Sequence, residues 1–515
     1  MELHTRPIGR RIRQTCIDGV VTPLTQIPSI ARAGNPARAW ALFASSGWDA
    51  RADDPKALTL KGRLLKDQAK ASDGAERARL YGLAAEAYAA AAELERDSYP
   101  LINAAALALL GGRPERSAAL AKETLALIDG DAGQGENAYW RAATRAEALL
   151  LLGEESEARA VLADGIAKLP HAWEDHAATL GQFELILAEQ GRDTAWLDRH
   201  RPPPSLYFSG IIGLDEADPA IRRDIDAIIQ RERPGFGFGA LAAGADILIA
   251  EALHRAGAEL HITLPYPVDR FRELSVAPFG ERWGPRFDAL VEAAARLEVL
   301  TELPDEEERS LELAVELADL VAMGQCLRNA GVLKSRPKAL TITGRGDQPR
   351  RPHQVWSDTG HDQYTIPAVR PPDHRSVAAI SGPERKEIAA ILWVDNADPD
   401  MLSAVSDDAG DFRPGRDGHY RISTNPLQLI STSRALSGDD DNVRTSLVID
   451  IMDPHAPAAS LLDQASDLAR AASGTAVPTD FKSAMVMLLQ SGGRAIEEIG
   501  ELQTASGRLP LWSIA

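Results

Sequence analysis

Apolar residues recur at helical spacing through most of residues 37–200, and Gly or Pro marks the breaks between the apolar runs. Two stretches there repeat the same order, ALALLGGRPERSAALA from Ala106 and ALLLLGEESEARAVLA from Ala148. In each, a helix ends at a glycine, a charged turn follows, and an alanine-rich helix begins. Because small residues let helix pairs stack closely, the pattern predicts a short helical-repeat domain over residues 37–200. The insert DGDAGQGENA lengthens one unit beyond the usual tetratricopeptide period.

The pattern changes after the proline-rich break RPPPS at 201–205, since each proline fixes φ and keeps the preceding residue out of a helix. Short apolar runs follow, LYFSG, GFGFGAL, ELHITLP and KALTIT, with helical stretches between them. Alternating strands and helices predict a parallel sheet covered on both faces. We therefore predict a Rossmann-like parallel α/β domain over residues 205–345.

The last part of the chain begins with residues 346–383, which are rich in Pro, Gly, Asp and His and predict an irregular linker. Strand and helix patterns return in residues 384–515 and predict a C-terminal α/β domain. Residues 1–36 form a mildly basic N-terminal arm. The expected fold class is thus multidomain α and α/β, with an N-terminal α-helical repeat and two α/β domains.

The composition narrows the functional classes. The net charge of -19 argues against broad binding to nucleic acid, whose phosphates such a surface repels. The two cysteines lie far apart, so no disulfide framework or CxxC metal site is expected. No run of 18 apolar residues and no signal core is visible. We therefore expect a cytoplasmic protein with neither a membrane nor a nucleic-acid partner.

A candidate ligand site lies where two predicted strands end in small residues. LYFSG supplies Ser209 and Gly210, with Gly213 after them, and GFGFGALAAGAD supplies Gly239, Gly244 and Asp246. In an open parallel sheet, ligands bind beyond the carboxyl ends of the strands. A glycine-rich turn into a helix presents N–H groups and a favourable dipole to an anion, and Asp246 is placed to accept from a ribose. The alternative is that the glycines only permit tight packing and Asp246 serves the helix. The strict GxGxxG and Walker A patterns are absent.

Beyond these residues, SGIIG followed by GALAAGADILIAEALHRAGAELHITLP resembles the SLOG superfamily, the DprA and Lonely-guy type Rossmann-like domains. The resemblance implies a nucleotide-type ligand at Ser209, Gly210, Gly244 and Asp246. The PGGxGTxxE motif of Lonely-guy-type phosphoribohydrolases is missing, and Glu251 lies about a turn and a half past Asp246 without that loop. We therefore favour ligand sensing over hydrolysis. Arg270, Arg272 and Arg282 are candidates for phosphate contacts, or else solvated surface cations.

In the N-terminal half, DPKALTLKGRLLKDQA and YPLINAAALALLGG resemble bacterial proteins with a TRAFs-binding, tetratricopeptide-like domain, over roughly residues 30–200. This implies a protein partner. A helical domain that merely supports its neighbours is the alternative.

In the C-terminal half, ERKEIAAILWVD and RDGHYRISTNPLQLISTSRAL resemble class III nucleotide cyclases, of ferredoxin-like fold. The resemblance implies Asp395 and Asp417 as ligands of Mg²⁺. The 22-residue interval between them is about half the family's, and the Asn-x-x-x-Arg pair reads Asp463 and Asp467. LVIDIMDP also lacks the small-residue and His pattern of the next strand. We expect a degenerate, inactive cyclase-like domain with vestigial metal residues and no catalytic residues; an unrelated α/β sandwich is the alternative.

Two candidates for metal binding are weaker. GDDDN at 438–442 lacks the EF-hand spacing for Ca²⁺ and is more typical of a solvated loop. The spacing of His171 and His176 does not suit a metal. The sequence as a whole predicts a cytosolic signalling protein that joins an interaction scaffold, a nucleotide-type ligand sensor and a pseudo-cyclase. An active Mg²⁺-dependent cyclase or nucleotide hydrolase is the rival hypothesis, and a purely structural scaffold is a third. Assembly into a homo-oligomer is left open.

Overall fold

The computed structural model describes Ile27 and residues 36–130, 137–214, 219–300, 308–348, 350–369, 386–405, 411–437, 442–472, 476–490, 496–504 and 507–514. Among these residues, no helix has the length and apolar character needed to cross a membrane. The candidate loop GDDDN lies outside the described residues except for Asn442.

An array of helices forms the N-terminal part, as the apolar spacing predicts. Its helices in the described residues are α1 (Pro36–Ser45), α2 (Pro55–Lys70), α3 (Gly74–Glu95), α4 (Ser98–Leu110), α5 (Pro114–Gly130), α6 (Ala138–Leu151), α7 (Glu155–Lys168) and α8 (Trp173–Glu189). Consecutive helices from α1 to α7 pack on one another, and α8 packs on α4 and α6, around buried alanine and leucine side chains. Glycines allow the close contacts: a Cβ on Gly62 would lie 2.5 Å from the Tyr88 ring. The helical repeat is therefore confirmed.

The two repeated turns of the sequence are helix ends stabilised in the same way. After α4, the N–H of Arg113 donates to the carbonyl of Ala108, and after α6 the N–H of Glu154 donates to that of Leu149, each at 2.9 Å. A glycine with positive φ permits each reversal, Gly112 at +71° and Gly153 at +84°. The sequence repeat thus corresponds to a repeated structural unit.

A six-stranded parallel sheet follows the proline-rich break. Its strands are β1 (Ser205–Gly210), β2 (Phe236–Gly239), β3 (Glu259–Leu264), β4 (Arg296–Val299), β5 (Pro337–Gly344) and β6 (Asp362–Ala368), in the order β4-β3-β2-β1-β5-β6. Every pairing is parallel. The accompanying helices are α9 (Pro219–Glu232), α10 (Ala245–Arg255), α11 (Val268–Ser275), α12 (Trp283–Ala293), α13 (Glu308–Val332) and α14 (Arg351–Asp358). The strand order reverses between β1 and β5, which makes that edge the expected ligand crevice.

The predicted linker differs from the structure in its first part. Within residues 346–383, the described residues contain α14 and β6, and β6 pairs with β5 as the last strand of the sheet. The strand DQYTIPA is polar and holds Pro367, both of which an edge strand tolerates because only one side needs a partner. The polar, proline-containing composition that predicted a linker therefore belongs in part to an edge strand. The other domain limits stay a prediction.

A seven-stranded sheet forms the C-terminal part. Its strands are β7 (Glu387–Asp395), β8 (Arg413–Pro414), β9 (His419–Ser423), β10 (Arg444–Met452), β11 (Val477–Thr479), β12 (Ile496–Thr504) and β13 (Gly507–Ile514), in the order β12-β13-β11-β10-β7-β9-β8. Its helices are α15 (Pro399–Ala404), α16 (Pro426–Ser437), α17 (Ala459–Arg470) and α18 (Phe481–Leu488). The stretch from β7 to β10 has the β-α-β-β-α-β order of a ferredoxin-like unit. The multidomain α and α/β fold class is confirmed.

Helix α13 belongs to the cores on both sides of it. Leu317 and Val321 pack in the core of the seven-stranded sheet, whereas Ala322 and Met323 pack against strands of the six-stranded sheet. At Gly324 the helix touches α18 so closely that a Cβ would lie 2.1 Å from the carbonyl oxygen of Met485. The two α/β parts are thus joined by a shared helix.

Candidate functional site

The glycine loops meet at the carboxyl ends of β1 and β2. Gly244 has φ +104°, and a Cβ there would lie 2.5 Å from the backbone nitrogen of Leu214. A Cβ on Gly210 would lie 2.4 Å from that of Ala245, and one on Gly239 would lie 2.4 Å from the carbonyl oxygen of Phe208. Gly213 has φ +69°. These glycines are therefore required for the close approach of the two loops, whatever else they do.

Several N–H groups of these loops donate inside the protein. The N–H of Gly213 donates to the carbonyl of Ala243 at 2.7 Å, that of Ala243 to Ser275 at 2.9 Å, and that of Ala245 to Ile211 at 3.2 Å. These three groups are not available to a phosphate.

Asp246 is the central side chain of the candidate site. It lies in the first turn of α10 and is only 6% exposed. Its Oδ2 accepts from the N–H of Ala242 at 3.1 Å, while its Oδ1 makes no hydrogen bond of ordinary geometry to the described residues, although the N–H of Gly210 also stabilises the charged carboxylate. Burial, reinforced by the nearby charge of Asp319, raises the pKa of Asp246 to about 7. Burying a carboxylate oxygen without a good hydrogen bond is costly, so this oxygen has unused capacity to accept a hydrogen bond.

A buried ion pair lies beside Asp246. Asp319 of α13 is 5% exposed; its Oδ1 accepts from the Tyr207 hydroxyl at 3.0 Å, and its Oδ2 lies 3.1 Å from Nη2 of Arg350. Arg350 precedes α14, and its side chain is 43% exposed, so it extends from the buried carboxylate to the rim. The charge of Asp319 raises the pKa of Arg350. This edge of the sheet therefore combines two buried carboxylates with one partly exposed cation.

Ser209 and His353 complete the polar lining. Ser209 is buried on the same face of β1 as Tyr207 and hydrogen-bonds to its hydroxyl. His353 of α14 is 7% exposed, and its Nε2 has no hydrogen-bond partner in the described part of the chain. Burial lowers the pKa of His353, although the charge of Asp319 opposes this shift. We name Ser209, Asp246, Asp319, Arg350 and His353 together the crevice cluster.

The residues predicted for the site thus include only some of the polar groups found at this edge of the sheet. Ser209, Gly210 and Asp246 lie in it, but Asp319, Arg350 and His353 were not singled out from the sequence. One signal was visible: Asp319 interrupts the apolar run of ELADLVAMG. Arg350 and His353 lie in the stretch interpreted as a linker.

The other predicted phosphate contacts are engaged at the surface. Arg270 pairs with Glu273 at 3.0 Å, and Arg272 pairs with Asp288 at 3.0 Å. The Arg282 guanidinium stacks on the Trp283 ring at 5.4 Å. These contacts fit the solvated-cation alternative.

Two of the remaining candidates have structural partners. Glu251 receives both arms of the Arg286 guanidinium, at 2.6 and 2.7 Å. His176 is buried against Tyr139, with ring centroids 4.9 Å apart.

The two residues implied as Mg²⁺ ligands have protein partners of their own. Oδ1 of Asp395 accepts from the indole N–H of Trp393 at 2.5 Å, and Asp417, 64% exposed, pairs with Arg470 at 3.7 Å. Gly418 does come close to Asp395: a Cβ there would lie 2.6 Å from Oδ1. Within the described residues no group of three or more His, Cys, Asp or Glu could hold a metal ion. The side chains around Asp395 do not fit a two-metal centre, and we derive no step through Mg²⁺.

Comparison with known proteins supports the helical-repeat part. Residues 25–108 match the family model described as TPR-S, Tetratricopeptide Repeats-Sensor. Tetratricopeptide repeats generally mediate protein interactions. No curated protein matches the chain.

Among solved structures, the chain is similar to a mutant of the O-GlcNAc transferase of Thermobaculum terrenum, at 12% identity. The likeness covers 67% of this chain and 56% of that chain, with a TM-score of 0.20. The chain therefore spans little more than half the length of that transferase.

Proposed function

We propose that this chain is a sensor in which the helical-repeat array binds a protein partner and the six-stranded sheet binds a nucleotide-type small molecule at the crevice cluster. The description of the TPR-S family as a sensor supports the general role. The polar side chains at the edge between β1 and β5, where the strand order reverses, support the position of the site.

The observation that carries the proposal is the unpartnered Oδ1 of Asp246, buried at the start of α10. A hydroxyl of a ribose or an amine of a base supplies the donor that this oxygen lacks. Leaving a buried polar atom unsatisfied costs about 1–3 kcal/mol, and a bound ligand recovers part of that cost. Asp246 is therefore the residue whose removal should affect binding most.

A thermal-shift panel of ribonucleotides on the full chain tests the proposal. A ligand present at about 100 times its Kd should stabilise the protein by roughly 2.7 kcal/mol. Asp246→Asn should abolish the shift, because it replaces an oxygen acceptor with an amide. The matched control is Asp288→Asn, an exposed carboxylate paired with Arg272. A panel without any shift, or an equal shift for Asp246→Asn, would argue against the site.

An enzyme is a second candidate, because a pKa of about 7 suits Asp246 for proton transfer at neutral pH. Nucleotide hydrolysis would then require Asp246 to act as general acid or base. Product analysis with nucleoside monophosphates separates the two functions. Turnover that disappears in Asp246→Asn would replace the sensor with the hydrolase.

We also propose that the C-terminal part is a degenerate cyclase-like domain without turnover. Its ferredoxin-like strand order and the contact of Gly418 with Asp395 support the likeness to nucleotide cyclases. The protein partners of Asp395 and Asp417 support the loss of activity. Incubation with ATP or GTP and Mn²⁺ should give no cyclic product. Product formation that Asp395→Ala abolishes would overturn this part of the proposal.

A further inference from the structure

The start of α14 carries two side chains of the crevice cluster that the proposed function leaves without a role. Arg350 precedes the helix as its N-cap, and its side chain makes no capping hydrogen bond. His353 lies in the first turn and is buried. A helix N-terminus carries a partial positive charge, which adds to that of the guanidinium. The start of α14 is therefore the electropositive side of the crevice.

His353 gives an independent sign that a ligand contacts this side. The imidazole is 7% exposed, and its Nε2 has no hydrogen-bond partner in the described residues. Asp319 and Arg350 are close enough for both charges to act on the ring. A buried ring nitrogen is seldom left unpaired in a finished core, because burial without a hydrogen bond is unfavourable. Nε2 is thus a second unsatisfied atom in the same crevice.

The charges of the crevice give a ligand a definite direction. Asp246 and Asp319 make the floor acidic, so an anionic group is repelled there. Arg350 is 43% exposed and has five N–H donors, more than its contact with Asp319 uses. A ligand that fits both ends has hydrogen-bond donors at one end and an anion at the other.

We propose that Arg350 and His353 hold the phosphate of the ligand while Asp246 accepts from its sugar or base, so that the site selects nucleotides over nucleosides. The inference rests on the proposed function and specifies the ligand class for the same site. Arg350 supplies the planar pair of donors that suits a phosphate, and His353 supplies a further hydrogen bond from the helix.

Matched pairs of ligands test this selectivity by calorimetric titration of the full chain: AMP against adenosine, and GMP against guanosine. In the wild type, at least one nucleotide should bind about tenfold or more tightly than its nucleoside, since charge-assisted bonds to phosphate are the strong ones. Arg350→Gln should lose most of that advantage, because it lowers nucleotide affinity far more than nucleoside affinity, and His353→Ala should lose part of it. The control is Arg351→Gln, the same change one residue on, at a side chain that pairs with Glu316.

Arg350→Gln also leaves Asp319 without its counter-charge, which is destabilising in a buried site. The double variant Asp319→Asn with Arg350→Gln removes both charges of the pair together, so the net charge of the crevice cluster stays as it is in the wild type. It should fold and show the same loss of nucleotide preference.

The outcomes separate the two proposals. If nucleoside and nucleotide bind the wild type equally well, or if Arg350→Gln weakens both alike, the sensor stands and the phosphate assignment is wrong. If no member of either pair binds, the proposed function fails and this inference fails with it. A nucleotide preference lost in both the single and the double variant supports the assignment.

Discussion

Asp246 shows how one side chain links stability and binding at the residue scale. Its pKa is about 7 in the folded protein, against 3.8 for an unperturbed carboxyl group. The folded state therefore prefers the protonated form. The resulting stability is fully present below pH 3.8 and is lost as the pH rises through 7. A residue that destabilises the fold at working pH is typical of a functional site.

The matching prediction is that Asp246→Asn stabilises the protein at high pH. The amide carries no charge and still offers an oxygen to the N–H of Ala242. The gain over wild type should rise from roughly 1.7 kcal/mol at pH 5 toward an upper bound of about 4 kcal/mol at pH 8, since one pKa unit corresponds to about 1.4 kcal/mol. Melting temperatures of both proteins from pH 5 to 8 check this. A constant difference across that range would contradict it.

The sequence predicts this residue only in part. Asp246 was singled out because it follows a glycine turn, and that pattern is local. Asp319 and Arg350 lie 73 and 104 residues further along the chain, and only the pairing of β1 with β5 brings their elements to the same edge. A single sequence contains no signal for such a meeting. The close contacts that require the glycines also form between segments distant in sequence, so the sequence does not reveal them.

At the element scale, the helices with a regular apolar period were predicted well and the irregular elements were not. The array follows from alanine and leucine spacing alone. Strand β6 and helix α14 escaped prediction because one is a polar edge strand and the other has only eight residues. Helix α13 is one of the helical stretches predicted between the strands, and the structure shows it buried on several faces.

Two glycines of α13 give a matched test of that shared packing. A Cβ on Gly324 would lie 2.1 Å from the carbonyl oxygen of Met485, whereas one on Gly331 would meet nothing within 4 Å. Gly324→Ala should therefore destabilise the protein by roughly 1–3 kcal/mol through overpacking.

Gly331→Ala should be neutral or should stabilise by about 0.5–1 kcal/mol, because alanine is the better helix former. Thermal unfolding of both variants provides the comparison. Equal melting temperatures for the two would show that α13 and α18 are not in fixed contact.

At the scale of the whole molecule, Arg328 of α13 connects the separate parts. Its guanidinium stacks on the Trp512 ring at 4.6 Å and lies 3.8 Å from Glu498, both in the C-terminal hairpin of β12 and β13. The charges of Arg296 on β4 and Glu174 on α8 also act on it. One side chain is thus close to the array and to both sheets.

Arg328→Ala should loosen the hairpin from the rest of the molecule. The stacking contact is worth about 0.5–2 kcal/mol, and its loss should raise amide exchange in residues 496–504 and 507–514. The control is Arg508→Ala, on the same hairpin, which removes only an exposed pair with Glu501. Exchange measured by mass spectrometry should rise in the first variant alone; the same rise in both would assign the effect to the hairpin itself.

The shared helix also has a consequence for the order in which the protein is made. When the ribosome has added residue 344, the chain holds five of the six parallel strands, and α13 can dock on them. The face with Leu317 and Val321 then has no complete cover until β10 and α18 have been synthesised, more than a hundred residues later. At about 5–20 residues per second, an apolar helix surface stays open for several seconds. Nascent chains of this protein should therefore be chaperone clients, and truncation before α18 should yield aggregates and not a soluble half.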